Sequence, residues 1–356
     1  MKENGAALLS RRDWLKVTGA LGLGAAASTI ATTTPAAVVK RGLTYRQVLA
    51  AAPWSPRYGL GCVVFQDRLW VLGGTGTAHN GTQVNDVWSS EDGLDWRQEL
   101  ASAPWQPRWA HAVFAHAGKL WVIGGLASVE PIQNLNDIWS SPDGKIWTRE
   151  LADAPWRARH VWATTVHRSR MYLLGGASDG SECYQDVISS EDGIHWRFET
   201  VHGTWFAARK YHAAASYRDR IFLTAGDIND SSQLYGALYL NDVWSSKDGQ
   251  VWTCAAPHAP WSPRLGHALV VYRGKLWSVG GELQSRYYAK DMWSTLDGEH
   301  WRKEAEKFAW QGRLAGGVVV FKNKVWIMGG GHRDWPKRDE LSLNDIWTFQ
   351  AGEKSE

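Results

Sequence analysis

Asp227, Glu282, His332 and Arg286 carry the most chemistry in this chain. They supply two carboxylates able to take a proton, a histidine able to give one near neutral pH, and a guanidinium fork suited to a carboxylate. Opening and reclosing a sugar ring needs that set, with Glu282 or Asp227 as general base and His332 as general acid. Trp109, Trp162, His160, Lys210, Tyr211, Arg333 and Trp335 are candidates to bind the ligand. Aromatic faces cover the C–H surface of a pyranose while cations grip an anionic group. Asp227, Glu282, His332 and Asp334 also form an alternative set of oxygen and nitrogen ligands for one iron or manganese ion. Apart from that ion, the residues specify no cofactor.

These residues stand out once a repeat is subtracted. Trp54, Trp105, Trp156, Trp205, Trp261 and Trp310 head six units, each followed by an arginine: Arg57, Arg108, Arg159, Arg209, Arg264 and Arg313. Sixteen residues beyond each arginine comes the first position of a Gly-Gly pair, with Ala225 in the fourth unit. Only the piece between this pair and the "ND.W" element varies in length. "HAVFAHAGKLWVIGG" reads as two alternating apolar strands around a turn, and "NDIWSS" and "IWTREL" as two more. Four strands per unit and six units predict an all-β ring of blades.

Those motifs resemble the kelch family of six-bladed β-propellers, over residues 43–349. The blades fall at about 54–104, 105–155, 156–204, 205–260, 261–309 and 310–349, leaving 350–356 as a tail. The last unit lacks a fourth strand, and Tyr45 stands nine residues before Trp54, where other units have Trp. Residues 43–49 are therefore expected to complete the sixth blade and close the ring.

Subtraction also assigns residues to structure. The six arginines are matched by Asp86, Asp137, Asp186, Asp242, Asp291 and Asp345, which predicts six ion pairs rather than an anion site. His111, His212 and His267 share one repeat position and read as structural. The "S-x-D-G-x-x-W" turn reads as turn geometry.

In an up-and-down blade, the variable second-to-third-strand connection and the segment after each arginine emerge on one face, where function belongs. That face collects Tyr58, Thr75 and His79 in the first unit, and Trp109 and Glu130 in the second. The third has His160, Trp162, Asp179 and Glu182; the fourth Lys210, Tyr211, Asp227, Asn229 and Asp230 on a long loop. The fifth has Glu282, Arg286, Tyr287 and Tyr288, and the sixth His332, Arg333, Asp334 and Trp335. Blades four to six are the expected site.

Among exported six-bladed kelch proteins, the N-acetylneuraminate mutarotases offer the nearest functional likeness. Gly281-Glu282 followed by Arg286 is similar to their Gly-Glu and arginine, at a shorter spacing. The resemblance implies a sugar or small anionic ligand and an isomerase. The alternatives are a binding module for a glycan or protein partner, and a mononuclear-metal enzyme. Galactose-oxidase-like members need copper held by two His and two Tyr, one cross-linked to Cys. Cys62 and Cys254 sit in predicted strands, and no such constellation stands out.

The formal charge is +3, of which residues 1–37 contribute +2 (Lys2, Arg11, Arg12 and Lys16 against Glu3 and Asp13). A near-neutral remainder carries no footprint for nucleic acid. Three widely spaced cysteines do not read as a disulfide framework. "SRRDWLKVTGALGLGAAAST" resembles a twin-arginine export signal, with residues 1–37 as the signal peptide. The expectation is export to the periplasm or beyond, with no membrane partner after cleavage.

Overall fold

A computed structural model describes residues 38–40, 42–76, 83–127, 132–178, 182–229, 237–305, 310–334 and 339–352. The expected signal peptide lies outside these. Among the described residues there are strands and turns and no helix. Six antiparallel blade sheets make up the ring, each with four strands in order from the axis outward, and a separate two-stranded pair joins Arg264–Leu265 to Glu282–Leu283. Gly61–Phe65, Ala112–His116, Ala163–His167, Ala213–Tyr217, Ala268–Tyr272 and Gly317–Phe321 are the innermost strands. Each touches the next, and the sixth touches the first, so the ring is closed.

Closure is made as expected. Leu43–Leu49 pairs with Asp339–Ala351, setting Tyr45 opposite Phe349 and edge-on to Trp310 at 5.6 Å. The structure adds a strand: Val38–Lys40 folds back through Gly42 and pairs along Leu43–Tyr45, giving this blade a fifth strand.

Each repeated letter has a mechanical job. The arginines are buried, and their guanidinium nitrogens approach the paired aspartates within 2.5–2.7 Å in all six blades. Each also donates to the carbonyl of the first Gly-Gly position, as Arg108 does to Gly124. In "N-D-x-W" the Trp indole N–H donates to the Asp (Trp139 to Asp137, 2.7 Å). The Asn amide holds the connection to the next blade: Asn136 donates to the carbonyls of Ala154 and Trp156. The Gly-Gly pair forms a bulge, with its first residue left-handed (Gly124, φ 55°) and the ladder register shifting across it. The glycine of "S-x-D-G" is a socket: a Cβ on Gly144 would lie 2.1 Å from the Trp70 ring of the preceding blade.

Two sequence readings need correction. Phe206, not Trp205, heads the fourth blade. Phe206 is fully buried, lies edge-on to Trp252 at 5.0 Å and sits under Arg209, as Trp105 sits under Arg108. Trp205 is half-exposed and donates to the Gln185 carbonyl. A three-residue spacing to the arginine marks the right position in every blade, and Trp205 misses it by one. The second correction concerns the long loop of the fourth blade. Its two flanks, Asp227–Asn229 and Ala237–Leu240, pair as a two-stranded arm, the ends of the strands Arg220–Asn229 and Ala237–Ser246.

Candidate functional site

On the variable face the backbone itself draws a ring around the axis. Gly59, Ala110, Val161, Tyr211, Gly266 and Ala315 hold equivalent positions, all with φ between 47° and 60°. Each N–H donates to the carbonyl of its counterpart in the preceding blade, at 2.8–3.2 Å, and Gly59 donates to Ala315 to complete the circuit. The residue before each ring position bridges to the residue two beyond the first Gly-Gly position. These bridges are Tyr58–Thr75, Trp109–Leu126, His160–Ala177, Lys210–Asp227, Leu265–Glu282 and Leu314–Gly331. The far side of the bridge is therefore acidic only in blades 4 and 5.

Asp227 is 3% exposed. Its backbone pairs with Lys210, and Lys210 Nζ stands 3.6 Å from Oδ2. Oδ1 is buried with no hydrogen-bond partner. Burial pushes the carboxyl up to about 6 against the pull of Lys210 and Arg286.

Tyr239 lies directly across the ladder from Asp227, so both side chains leave the same face of the arm. Its hydroxyl donates to Glu282 Oε1 at 3.0 Å and accepts from Arg286 Nη1 at 2.7 Å. Arg286 Nη1 also donates to Glu282 Oε1 at 3.2 Å. Gln284 Oε1 accepts the Tyr239 N–H. A tight turn returns the chain: Arg286 N–H donates to the Leu283 carbonyl, with Arg286 left-handed at φ 67°. That strained backbone aims the guanidinium at Tyr239. Desolvation, with the Glu282 charge beside it, pushes the Tyr239 phenol well above its ordinary range, so it stays a neutral donor.

The structure thus brings together Lys210, Asp227, Glu282 and Arg286, and adds Tyr239 and Gln284, which the sequence reading did not single out. The signal for Tyr239 was its place in the variable arm opposite Asp227, invisible until the strand register is known.

His332 stands elsewhere. Its Nδ1 contacts the Gly312 carbonyl at 2.7 Å, and its ring packs on Tyr288 at 5.3 Å. A carbonyl only accepts, so Nδ1 carries the proton in this contact. These contacts tie His332 to the fifth-to-sixth-blade connection and to Tyr288.

Trp162, expected as a ligand platform, is 8% exposed and lies against Gly124 of the preceding blade, edge-on to Trp156. It fills the slot that His111 and His212 fill against Gly73 and Gly175. Burial lowers the His111 and His267 pKa to about 3, so these rings are neutral packing. In blade 6 that slot holds Gly316, and a cavity of ≈ 20 Å³ remains beside Gly280 and Trp310, room for one water.

Trp109 and His160 are half-exposed on the mouth, and Tyr211 is on the ring. Glu182 is exposed and paired with Arg157. His79, Glu130, Asp179, Asp230 and Trp335 lie outside the described residues, as do the side chains of Asn229, Arg333 and Asp334.

Among the described residues no three His, Cys, Asp or Glu side chains gather as a metal cage. Asp227 and Glu282 instead face Lys210 and Arg286. Cys62, Cys183 and Cys254 form no disulfide.

Residues 143–330 match the KLHDC2/KLHL20/DRC7 Kelch-repeats domain. A protein named N-acetylneuraminate epimerase from Pasteurella multocida (strain Pm70) is 25% identical over 240 residues, 65% of this chain and 54% of its own length. One of the same name from Yersinia enterocolitica is 32% identical over 131 residues, 35% of this chain and 32% of its own. The chain spans about half or less of the curated relatives it matches. The solved structure of YjhT superposes with a TM-score of 0.67 at 18% identity, covering 84% of this chain and 96% of that one, a likeness of fold. The chain, a six-bladed β-propeller, belongs to the kelch-repeat family.

Proposed function

We propose that this propeller exchanges the anomers of an acidic sugar of the N-acetylneuraminate type at the blade 4–5 cluster. The observation that carries the reading is Asp227: a buried carboxyl with one oxygen unpartnered and a titration near neutrality, in reach of a cation. A general base needs those properties. Lys210 and Arg286 are positioned to hold the sugar's carboxylate.

In the reaction, Asp227 takes the proton of the anomeric hydroxyl and returns it to the ring oxygen carried by the same carbon. The C–O bond of the ring breaks and its electron pair goes to that oxygen, leaving an open-chain keto acid. Rotation about the C–C bond beside the new ketone carbon, followed by the reverse proton transfers, closes the ring on the other face. The Tyr239–Glu282–Arg286 network is the neutral-donor and carboxylate pair beside that centre. The relatives named N-acetylneuraminate epimerase support the substrate class. Export through the twin-arginine route, and a site facing the periplasm or the outside, are part of the same proposal.

The test is exchange NMR on a single freshly prepared anomer of N-acetylneuraminic acid. The protein should speed equilibration, and Asp227→Asn should slow it by roughly 10²–10⁴-fold. Binding without faster exchange would instead make the face a carbohydrate-binding surface.

A further inference from the structure

We propose that Tyr58, Trp109 and His160 form a second sugar subsite, so that the ligand is an acidic oligosaccharide with a free reducing end. This extends the reading of the blade 4–5 cluster and rests on it.

The three residues hold the position that Lys210 holds in blade 4, each bridged to the strand beyond its bulge. The residues after them are tied into the same backbone circuit as Tyr211 and Gly266. Arc and cluster therefore stand at one level around the axis, with His160 and Lys210 in successive blades. The arc is continuous: Tyr58 meets Trp109 edge-on at 5.5 Å, and Trp109 meets His160 at 5.9 Å.

These rings differ from the blade-packing aromatics. Trp54 and Trp105 are 1% exposed, whereas all three arc residues are half-exposed. The place for Trp109 is also built: a Cβ on Gly59 would lie 2.7 Å from Trp109 Cε3, so the indole rests on the backbone of the mouth. His160 is held by Asn134, whose Oδ1 lies 2.7 Å from Nδ1. Across the bridges stand Leu126 and Ala177, uncharged where blades 4 and 5 have acids.

One side of the mouth thus suits a carboxylate and a moving proton, and the other suits the C–H face of a neighbouring pyranose. Anomer exchange requires a free anomeric hydroxyl on the unit in the cluster. The second unit must then be joined through another carbon of that sugar, which makes the ligand a reducing-end oligosaccharide.

The experiment is calorimetric titration of the full chain with N-acetylneuraminic acid and with its 2,8-linked dimer. The dimer should bind about tenfold more tightly, the size of one stacked ring. In Trp109→Ala the dimer-to-monomer ratio should fall to about one. Asp227→Asn should weaken both ligands and keep the ratio. His160→Ala should lower the ratio as well, which covers the case of a Trp109→Ala chain that fails to fold. Equal affinities in the wild-type chain, or a ratio unmoved by both arc variants, would overturn the subsite alone. Binding of neither sugar would overturn the cluster's reading along with it.

Discussion

Asp227 is disfavoured as an anion because its carboxylate is buried, and Lys210 compensates only in part. Two consequences have opposite uses. For the proposed reaction, the base form is the anion, so kcat/KM for anomer exchange should rise tenfold per pH unit below about 6 and level above it. Asp227→Asn should remove that inflection. For stability, the folded pKa lies above the ordinary carboxylate value, so the folded state holds the proton more tightly than the unfolded chain does. The contribution is fully present below about pH 4 and is lost as pH rises through about 6. Melting curves of wild type and Asp227→Asn across that window should diverge, with wild type losing ground as pH rises. A flat difference would mean the carboxyl titrates as an ordinary exposed one.

Elements meet through sockets, and the strongest evidence for this lies at glycines and leading aromatics. Gly144 and Gly118 have nearly equal backbone angles, φ 74° and 72°, but only Gly144 faces a neighbouring ring. Gly118→Ala should therefore lose about 1 kcal/mol from left-handed strain. Gly144→Ala should lose roughly 2–4 kcal/mol, because the Trp70 ring must also move. Chemical denaturation of the two variants separates strain from packing. The same method checks the fourth blade: Phe206→Ala should cost roughly 3–5 kcal/mol and Trp205→Ala about 1 kcal/mol. The reverse order would restore Trp205 as the packing residue. The buried Arg–Asp pairs work at this scale too. Each pins the segment before a blade to its own third strand, and losing one partner strands a buried charge, at roughly 3–5 kcal/mol.

At the scale of the molecule, stability depends on closing a ring whose last blade is built from both ends of the propeller. Asn344 reaches across that seam to the carbonyls of Ala52 and Trp54, as Asn136 does within the chain. Removing residues 38–49 exposes the Ile346–Ala351 edge, an open template for pairing. The truncated chain should melt on the order of 10 °C lower and self-associate on size exclusion. A synthetic peptide of residues 38–49 in excess should restore both.

What the sequence determined by itself is the repeat and everything that follows from equivalence. The constant sixteen residues from arginine to Gly-Gly, the "N-D-x-W" element and Tyr45 in the place of a tryptophan specified blade number, strand order and the closing strand. Each is a local or pairwise demand repeated six times, so one reading was checked by five others. The acids of blades 4 and 5 were legible for the same reason, as departures from a rule. Tertiary structure decided which of the leftover residues meet. Tyr239 joined Glu282 because the strand register of one arm set it opposite Asp227 and turned it toward the next blade. Trp162 went into a slot between blades, and His332 went to Tyr288. Spacing along a chain carries no information on which side of a bulge, or of a blade interface, a side chain comes to rest, because the neighbouring blade settles that.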